Sequence, residues 1–177
     1  MESKIPKTGK IGRFARILGN ETNQRILENV MLYAGEYGSF NHAQKAAWWR
    51  EAIERLKREA GEETAIEIME LCGRKCCGAT HRKLAEKCWK ESESIEEFLD
   101  KLDESWAAGV RFELKDKDTI VWVYERCYCG QVKQTKKPFP STTYCQCGVG
   151  WVKQLFESAL GKEVGVEFVQ SVSGRGQ

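Results

Sequence analysis

Residues 94–126 read SIEEFLDKLDESWAAGVRFELKDKDTIVWVYER, and the spacing of apolar residues changes in the middle of this stretch. Ser94-Ile95-Glu96-Glu97 has the form of a capping box, in which a hydroxyl and a carboxylate satisfy amides at a helix start. Behind it, Ile95, Phe98, Leu99, Leu102 and Trp106 recur at i, i+3, i+4, i+7 and i+11, one face of a helix. After Gly109 that period ends. Val110 to Lys115 and Thr119 to Arg126 are rich in β-branched and aromatic residues, and Asp116-Lys117-Asp118 between them supplies turn chemistry. The stretch therefore predicts a helix followed by a β-hairpin.

Upstream, the pattern stays helical. Asn41 is a candidate N-cap for a helix carrying Trp49, Ile53, Leu56 and Ala60 and stopped at Gly61, and Ile26, Leu27, Val30, Met31 and Ala34 outline a shorter one. Downstream, a strand is expected over Val132 to Lys136, and Pro138-Phe139-Pro140-Ser141 breaks the chain. Val149, Val152, Leu155, Phe156 and Leu160 then mark a helix that Gly161 ends. Val164, Val166 and Phe168 alternate as one face of a last strand. Helices first, then an antiparallel β-sheet packed with helices, is the α+β class. The expected layout is a basic lead-in over residues 1–20 and a single domain over 21–177, helical over 21–108 and sheet-forming and cysteine-rich over 109–177.

Composition narrows the function classes. A chain of 177 residues, 41% hydrophobic and 31% charged, is enough for one sizeable core. Its net charge of +2 gives no electrostatic footprint for a nucleic-acid partner. The longest strongly apolar run, Ile120 to Tyr124, is far short of the roughly 20 residues that span a bilayer. MESKIPKTGK leads into no apolar stretch with a cleavage site, so the expected location is cytoplasmic.

Eight cysteines are the unusual number, and in a reducing compartment they point to metal or thiol chemistry before disulfides. Cys127-Tyr128-Cys129-Gly130 and Cys145-Gln146-Cys147-Gly148 are two Cys-x-Cys-Gly elements. Their four sulfurs, Cys127, Cys129, Cys145 and Cys147, form a candidate cage for zinc, with iron–sulfur or copper as other soft-metal occupants. Residues two apart on an extended segment project to one face, which would aim Cys127 and Cys129 at one ion. Buried reduced thiols and a redox disulfide remain open as other readings of these cysteines. A second group, Cys72, Cys76, Cys77 and His81, has i, i+4 spacings if helical, and Arg74, Lys75 and Arg82 would favour thiolates there. Gly73 and Gly78 suggest instead that a helix ends and restarts in this segment, with Thr80 as the new N-cap. Cys88, beside Leu84 and Ala85, reads as core.

A rival reading is a thiol-dependent hydrolase or transferase with Cys76, Cys77 or Cys147 as nucleophile and His81 or Glu157 as base. Other catalytic signatures fail. Gly148-Val149-Gly150 opens like a dinucleotide fingerprint but meets Lys153 where glycine is required, and Gly9-Lys10 has no phosphate-loop context. Six tryptophans supply core surface or, if some line a cavity, a pocket for a small-molecule or hydrophobic ligand with cysteines at its rim. The basic amphipathic run Lys10 to Leu18 reads as a short first helix or as a docking element for a partner, and a homodimer fits the same composition.

The C-terminal block carries a family resemblance. Cys145-Gln146-Cys147-Gly148-Val149-Gly150-Trp151, Leu155 to Gly161, Val164-Gly165-Val166-Glu167 and Gln170-Ser171-Val172 resemble small cysteine-rich bacterial and archaeal proteins. Those proteins are related to the 4-vinyl reductase sensor domain and to L-2-amino-thiazoline-4-carboxylic acid hydrolase-like proteins. The resemblance covers about residues 120–172. It implies an α+β ligand-binding fold that senses a hydrophobic molecule, a metal or a redox state, with Cys145 and Cys147 on the family's cysteine pair and Glu157 on its helix glutamate. Where the family continues with Gly-Asp and a Cys-x-Phe strand, this sequence reads Ser173-Gly174-Arg175-Gly176-Gln177. The function expected is a metal-binding sensor or small-molecule ligand-binding module, or alternatively the thiol-dependent hydrolase or transferase.

Overall fold

Helix boundaries follow the local chemistry closely where side chains cap them. In the computed structural model, which describes residues 5–105, 110–124, 128–129 and 141–170, Asn41 accepts a hydrogen bond from the Gln44 amide (3.0 Å). The Gln44 side chain accepts from the Asn41 amide (2.9 Å), closing a capping box. This starts helix α3, His42–Ala60. Gly61, at φ +90°, ends it and opens α4, Glu62–Cys76, a left-handed-side backbone that suits glycine. Ser94 Oγ accepts from the Glu97 amide (3.2 Å) ahead of α6, Ile95–Ser105. The Glu97 carboxylate reaches one residue further back than in a standard box, to the Glu93 amide (2.7 Å).

Before α3 come α1, Gly9–Glu21, and α2, Gln24–Val30, with a 3-10 turn at Ala34–Glu36. The shorter helix outlined from Ile26 to Ala34 thus stops at Val30, and Tyr33 takes a left-handed conformation (φ 62°) before the chain turns. Of the lead-in 1–20, residues 9–20 belong to α1, which buries Ile11, Phe14, Ala15, Ile17 and Leu18 in the core. The apolar face read as a docking element is therefore spent inside the protein.

Helix α5, Ala79–Lys90, follows α4, and the strands β1, Val110–Asp116, and β2, Thr119–Tyr124, form the expected hairpin. They pair antiparallel with Phe112 opposite Trp122 and Leu114 opposite Ile120, and the register slips between Leu114 and Asp116 at the turn. Helix α7, Thr142–Leu160, completes the described elements. The class is α+β, mostly helical, with a two-stranded antiparallel sheet among the described residues.

Three expectations change. Helix α7 starts at Thr142, seven residues before the first residue of the periodic stripe, so both Cys145 and Cys147 are helical. Gly73 does not stop α4, and α5 is capped at Gly78 rather than Thr80. Val164, Val166 and Phe168 alternate in burial as a strand face would, but pair with no strand among the described residues. The strand expected at Val132 to Lys136, the Pro138 to Pro140 break, Trp106, Glu125 and Arg126 lie outside the described residues.

Helices α4 and α7 run side by side in the same direction. Thr143 donates to Glu62 (2.6 Å), Lys153 to Glu70 (2.7 Å), and Arg74 grips Glu157 through two bonds (2.5 and 3.0 Å). Between these ties the backbones touch. A Cβ at Gly73 would lie 2.0 Å from the Cys147 carbonyl oxygen, and one at Gly150 would lie 1.8 Å from that of Glu70. Only glycine permits such an approach.

The apolar interior has two parts. One joins α1 to α4, with Trp49, Phe14, Leu56 and Met69 fully enclosed, and receives Tyr144 from α7. The other joins α5, α6, the hairpin and the C-terminal half of α7 around Phe98, Leu102, Leu155 and Phe156. No helix among the described residues is long and apolar enough to cross a membrane.

Candidate functional site

The α4–α7 contact decides where the cysteines meet. Cys72 and Cys76 lie one turn apart on α4, and Gly73 between them abuts the Cys147 carbonyl on α7. Cys129, outside the regular elements, comes to the same place. Cys72, Cys76, Cys129, Cys145 and Cys147 all line one cavity, so the two sequence groups form one thiol-rich region. Cys127 lies outside the described residues. Cys77 leaves the region: it is buried in the second core, and burial pushes its thiol up to about 11. Cys88 is buried as expected.

Within α7, residues two apart point about 200° from each other. Cys145 and Cys147 therefore do not form a two-ligand knuckle on one face. Among the described residues, no group of three or more His, Cys, Asp or Glu side chains has metal-holding geometry.

Lys10, in the first turn of α1, is the charge at the centre of this region. Its ammonium donates to Cys129 Sγ (3.2 Å) and to Tyr144 Oη, and lies 4.0 Å from the Tyr144 ring centroid and 5.2 Å from that of Trp49. Tyr144 Oη and Cys129 Sγ are themselves 2.8 Å apart. Tyr144 is held from below by Trp49, whose ring centroid is 5.4 Å away and whose indole N–H donates to Tyr37 Oη (2.8 Å).

Burial works against the charge on Lys10. The sulfurs of Cys147, Cys129 and Cys76 outweigh it and hold the ammonium above its ordinary range. Burial pushes Cys147 up to about 11 although Lys10 pulls it down, and pushes Cys72 up to about 12. At neutral pH these two are thiols. In the sequence Lys10 opens the basic amphipathic run Lys10 to Leu18 and follows Gly9 without phosphate-loop context, and neither feature ties it to the thiols. The signal was the amphipathic helix itself, which carries the lysine to the edge of the core.

The remaining candidates fall apart from this centre. Glu157 lies ten residues from Cys147, about 15 Å along the helix, and the Arg74 pair holds its carboxyl below the usual range. It ties two helices together and is out of reach as a base for Cys147. His81 is exposed, faces the Trp151 ring (centroids 5.4 Å apart) and lines the cavity with Cys76.

The cavity, about 1570 Å³, lies between α7, the hairpin and the extended segment 162–170. Trp122, Tyr124, Trp151, Phe156, Val166 and Phe168 give it an apolar wall, and the thiols with Lys10 give it a polar end. Trp122 on this wall lies 5.6 Å from the Trp151 ring and 5.7 Å from that of Phe156. This is the composition of a small-molecule site, with a few polar groups at one end of an aromatic surface.

No curated protein and no solved structure matches the chain. A family model does, over residues 13–176, nearly the whole length described above. By that match the chain belongs to a family of unknown function, DUF6144.

Proposed function

We propose that the protein is a small-molecule ligand-binding module, a sensor in type, whose cavity takes a largely apolar molecule with a polar or anionic end directed at Lys10. One observation carries this reading: an aromatic wall built from the hairpin, α7 and the segment 162–170 meets the thiol and lysine cluster in a single cavity. The resemblance of residues 120–172 to small cysteine-rich proteins related to the 4-vinyl reductase sensor domain points the same way. The test is titration with 1-anilinonaphthalene-8-sulfonate, an aromatic anion, following energy transfer from the tryptophans. Saturable binding is expected, and Val166→Arg, which places a charge on the wall outside any helix or strand, should weaken it at least about tenfold. Binding that Val166→Arg leaves unchanged would refute the cavity as the site.

A second reading is supported by the convergence of both cysteine groups: thiolate coordination of zinc, or of iron–sulfur or copper. The Lys10 ammonium would offset the negative charge of a multi-thiolate centre, which is how neighbouring donors commonly support such ligands. Elemental mass spectrometry on anaerobically purified protein tests it. About one metal per chain, lost on Cys147→Ser, is the expected result, and metal-free protein with all thiols titratable would overturn it.

A further inference from the structure

We propose that Arg13 makes the ligand of the cavity a carboxylate, so that the molecule this protein holds is an apolar acid whose head group lies against Arg13 and Lys10. The proposal rests on the ligand-binding reading above and names the chemical class that the site selects.

Helix α1 sets up the pair. It is fixed to the core by Ile11, Phe14 and Leu18, and Lys10 and Arg13 are neighbours one turn apart along its edge. Both line the cavity at its thiol end, together with Cys72 and Cys76.

What this end of the cavity lacks is a carboxylate. Lys10 donates to Cys129 and Tyr144. Arg13 is half-buried, and its guanidinium has no hydrogen bond or ion pair among the described residues. Of the other half-buried arginines, Arg55 donates to the Val30 carbonyl (3.0 Å) and Arg74 holds Glu157 (3.0 Å). Arg82 has its Nε without a hydrogen bond, but it does not line the cavity. The hairpin turn and the segment 162–170 carry the other charges of the lining, and there Lys115, Lys117 and Lys162 are accompanied by Asp118, Glu163 and Glu167. Cations stand without acids only at the α1 end. An amphipathic anion therefore has one favourable direction, with its head toward α1 and its apolar body along the aromatic wall.

The donors match a carboxylate. A guanidinium presents a planar fork that fits the two oxygens of a carboxylate, and it keeps its charge at any pH a protein meets. An ammonium has three protons, of which Lys10 commits one to Cys129 and one to Tyr144, leaving the third for the head group. A fork and one further donor satisfy a carboxylate. A phosphate would bring three acceptor oxygens and about twice the charge against a wall that is otherwise aromatic and aliphatic, with too few donors to replace its water. The arrangement thus selects a single planar anion.

The test is a matched pair of fluorescent probes, pyrenebutyrate and pyrenebutanol, which share one apolar body and differ in the head group. Each is titrated into the full chain at pH 7, with energy transfer from the tryptophans as the readout. The acid should bind at least about tenfold more tightly than the alcohol. Arg13→Gln should remove most of that preference by weakening the acid alone, since the alcohol makes no use of the guanidinium's charge. Arg13→Lys, which keeps the charge but not the fork, should retain only part of the preference, and it carries the test if Arg13→Gln does not fold. Equal binding of acid and alcohol by the wild-type chain, or a preference that neither variant lowers, would overturn the proposal while leaving the cavity as a ligand site. Binding of neither probe would overturn the ligand-binding reading itself, and this proposal with it.

Discussion

A methyl group added at Gly150 should cost this protein more than its size suggests. The new Cβ would lie 1.8 Å from the Glu70 carbonyl oxygen and 2.6 Å from its carbon, whereas ordinary contact begins at 3.4 Å. Both atoms are backbone of α4, fixed by that helix's own hydrogen bonds, so no rotamer change relieves the clash. The two helices must separate by more than an ångström, which loosens the Arg74–Glu157 and Lys153–Glu70 ties on the same face. Overpacking of this kind costs about 1–3 kcal/mol where side chains can yield, and the upper end applies where they cannot. Replacing a helical glycine by alanine returns up to about 1 kcal/mol. The net expectation for Gly150→Ala is a loss of about 2–3 kcal/mol, or roughly 5–10 °C in Tm for a chain of this size. Gly148→Ala is the internal control: it sits in the same helix with nothing within 4 Å of its Cβ, and should stabilise by about 0.5–1 kcal/mol. Urea and thermal unfolding of the two variants decide it. If Gly150→Ala proves as stable as Gly148→Ala, the close crossing is not a determinant of this fold.

Two further expectations concern ends and ties. Glu157→Gln should lower stability by about 1 kcal/mol at pH 7, since its carboxylate is half-buried and doubly bonded by Arg74. Because Arg74 depresses the Glu157 carboxyl in the folded state, that contribution is present above the ordinary value of 4.5 and lost as pH falls through the depressed one. The gap between wild type and variant in urea midpoint should therefore be full above 4.5 and close as pH falls below it through the depressed value, and a gap that persists unchanged in acid would refute the assignment. Asn41→Ala removes a capping box and should cost about 1 kcal/mol in thermal unfolding, with no change expected in the metal content or thiol reactivity of the distant cavity.

What the sequence made legible was local. The Asn41 cap, the Gly61 stop, the stripe of α6 and the turn at Lys117-Asp118 each depend on residues within one or two turns, and each is present in the structure. What it concealed was set by distant partners. Gly73 reads as a helix end because glycine weakens an isolated helix, yet Gly73 and Gly150 are where two backbones meet, a pairing that no spacing rule encodes. The apolar stripe begins only at Val149, so the sequence places the start of α7 too late and leaves Cys145 and Cys147 ahead of the helix as a candidate ligand pair. The thiol region was half legible: both cysteine groups stood out, but their convergence depends on the α4–α7 crossing, and Lys10 arrives from more than a hundred residues away.

Helix α7 is common property of both interiors, with Tyr144 in one and Leu155, Phe156 and Ala159 in the other. The protein is thus two packed bodies threaded on one rod, with the thiols near the joint and the aromatic wall on the second body. Opening of that second body need not melt the first, so hydrogen exchange should fall into two tiers, slow over α3 and α4 and faster over α5, α6 and the hairpin. A molecule lodged against Trp122 and Trp151 would raise the faster tier toward the slower one, turning two loosely geared halves into a single cooperative unit. Under the ligand-binding function proposed above, that change in how the protein breathes would itself be a signal a partner could read.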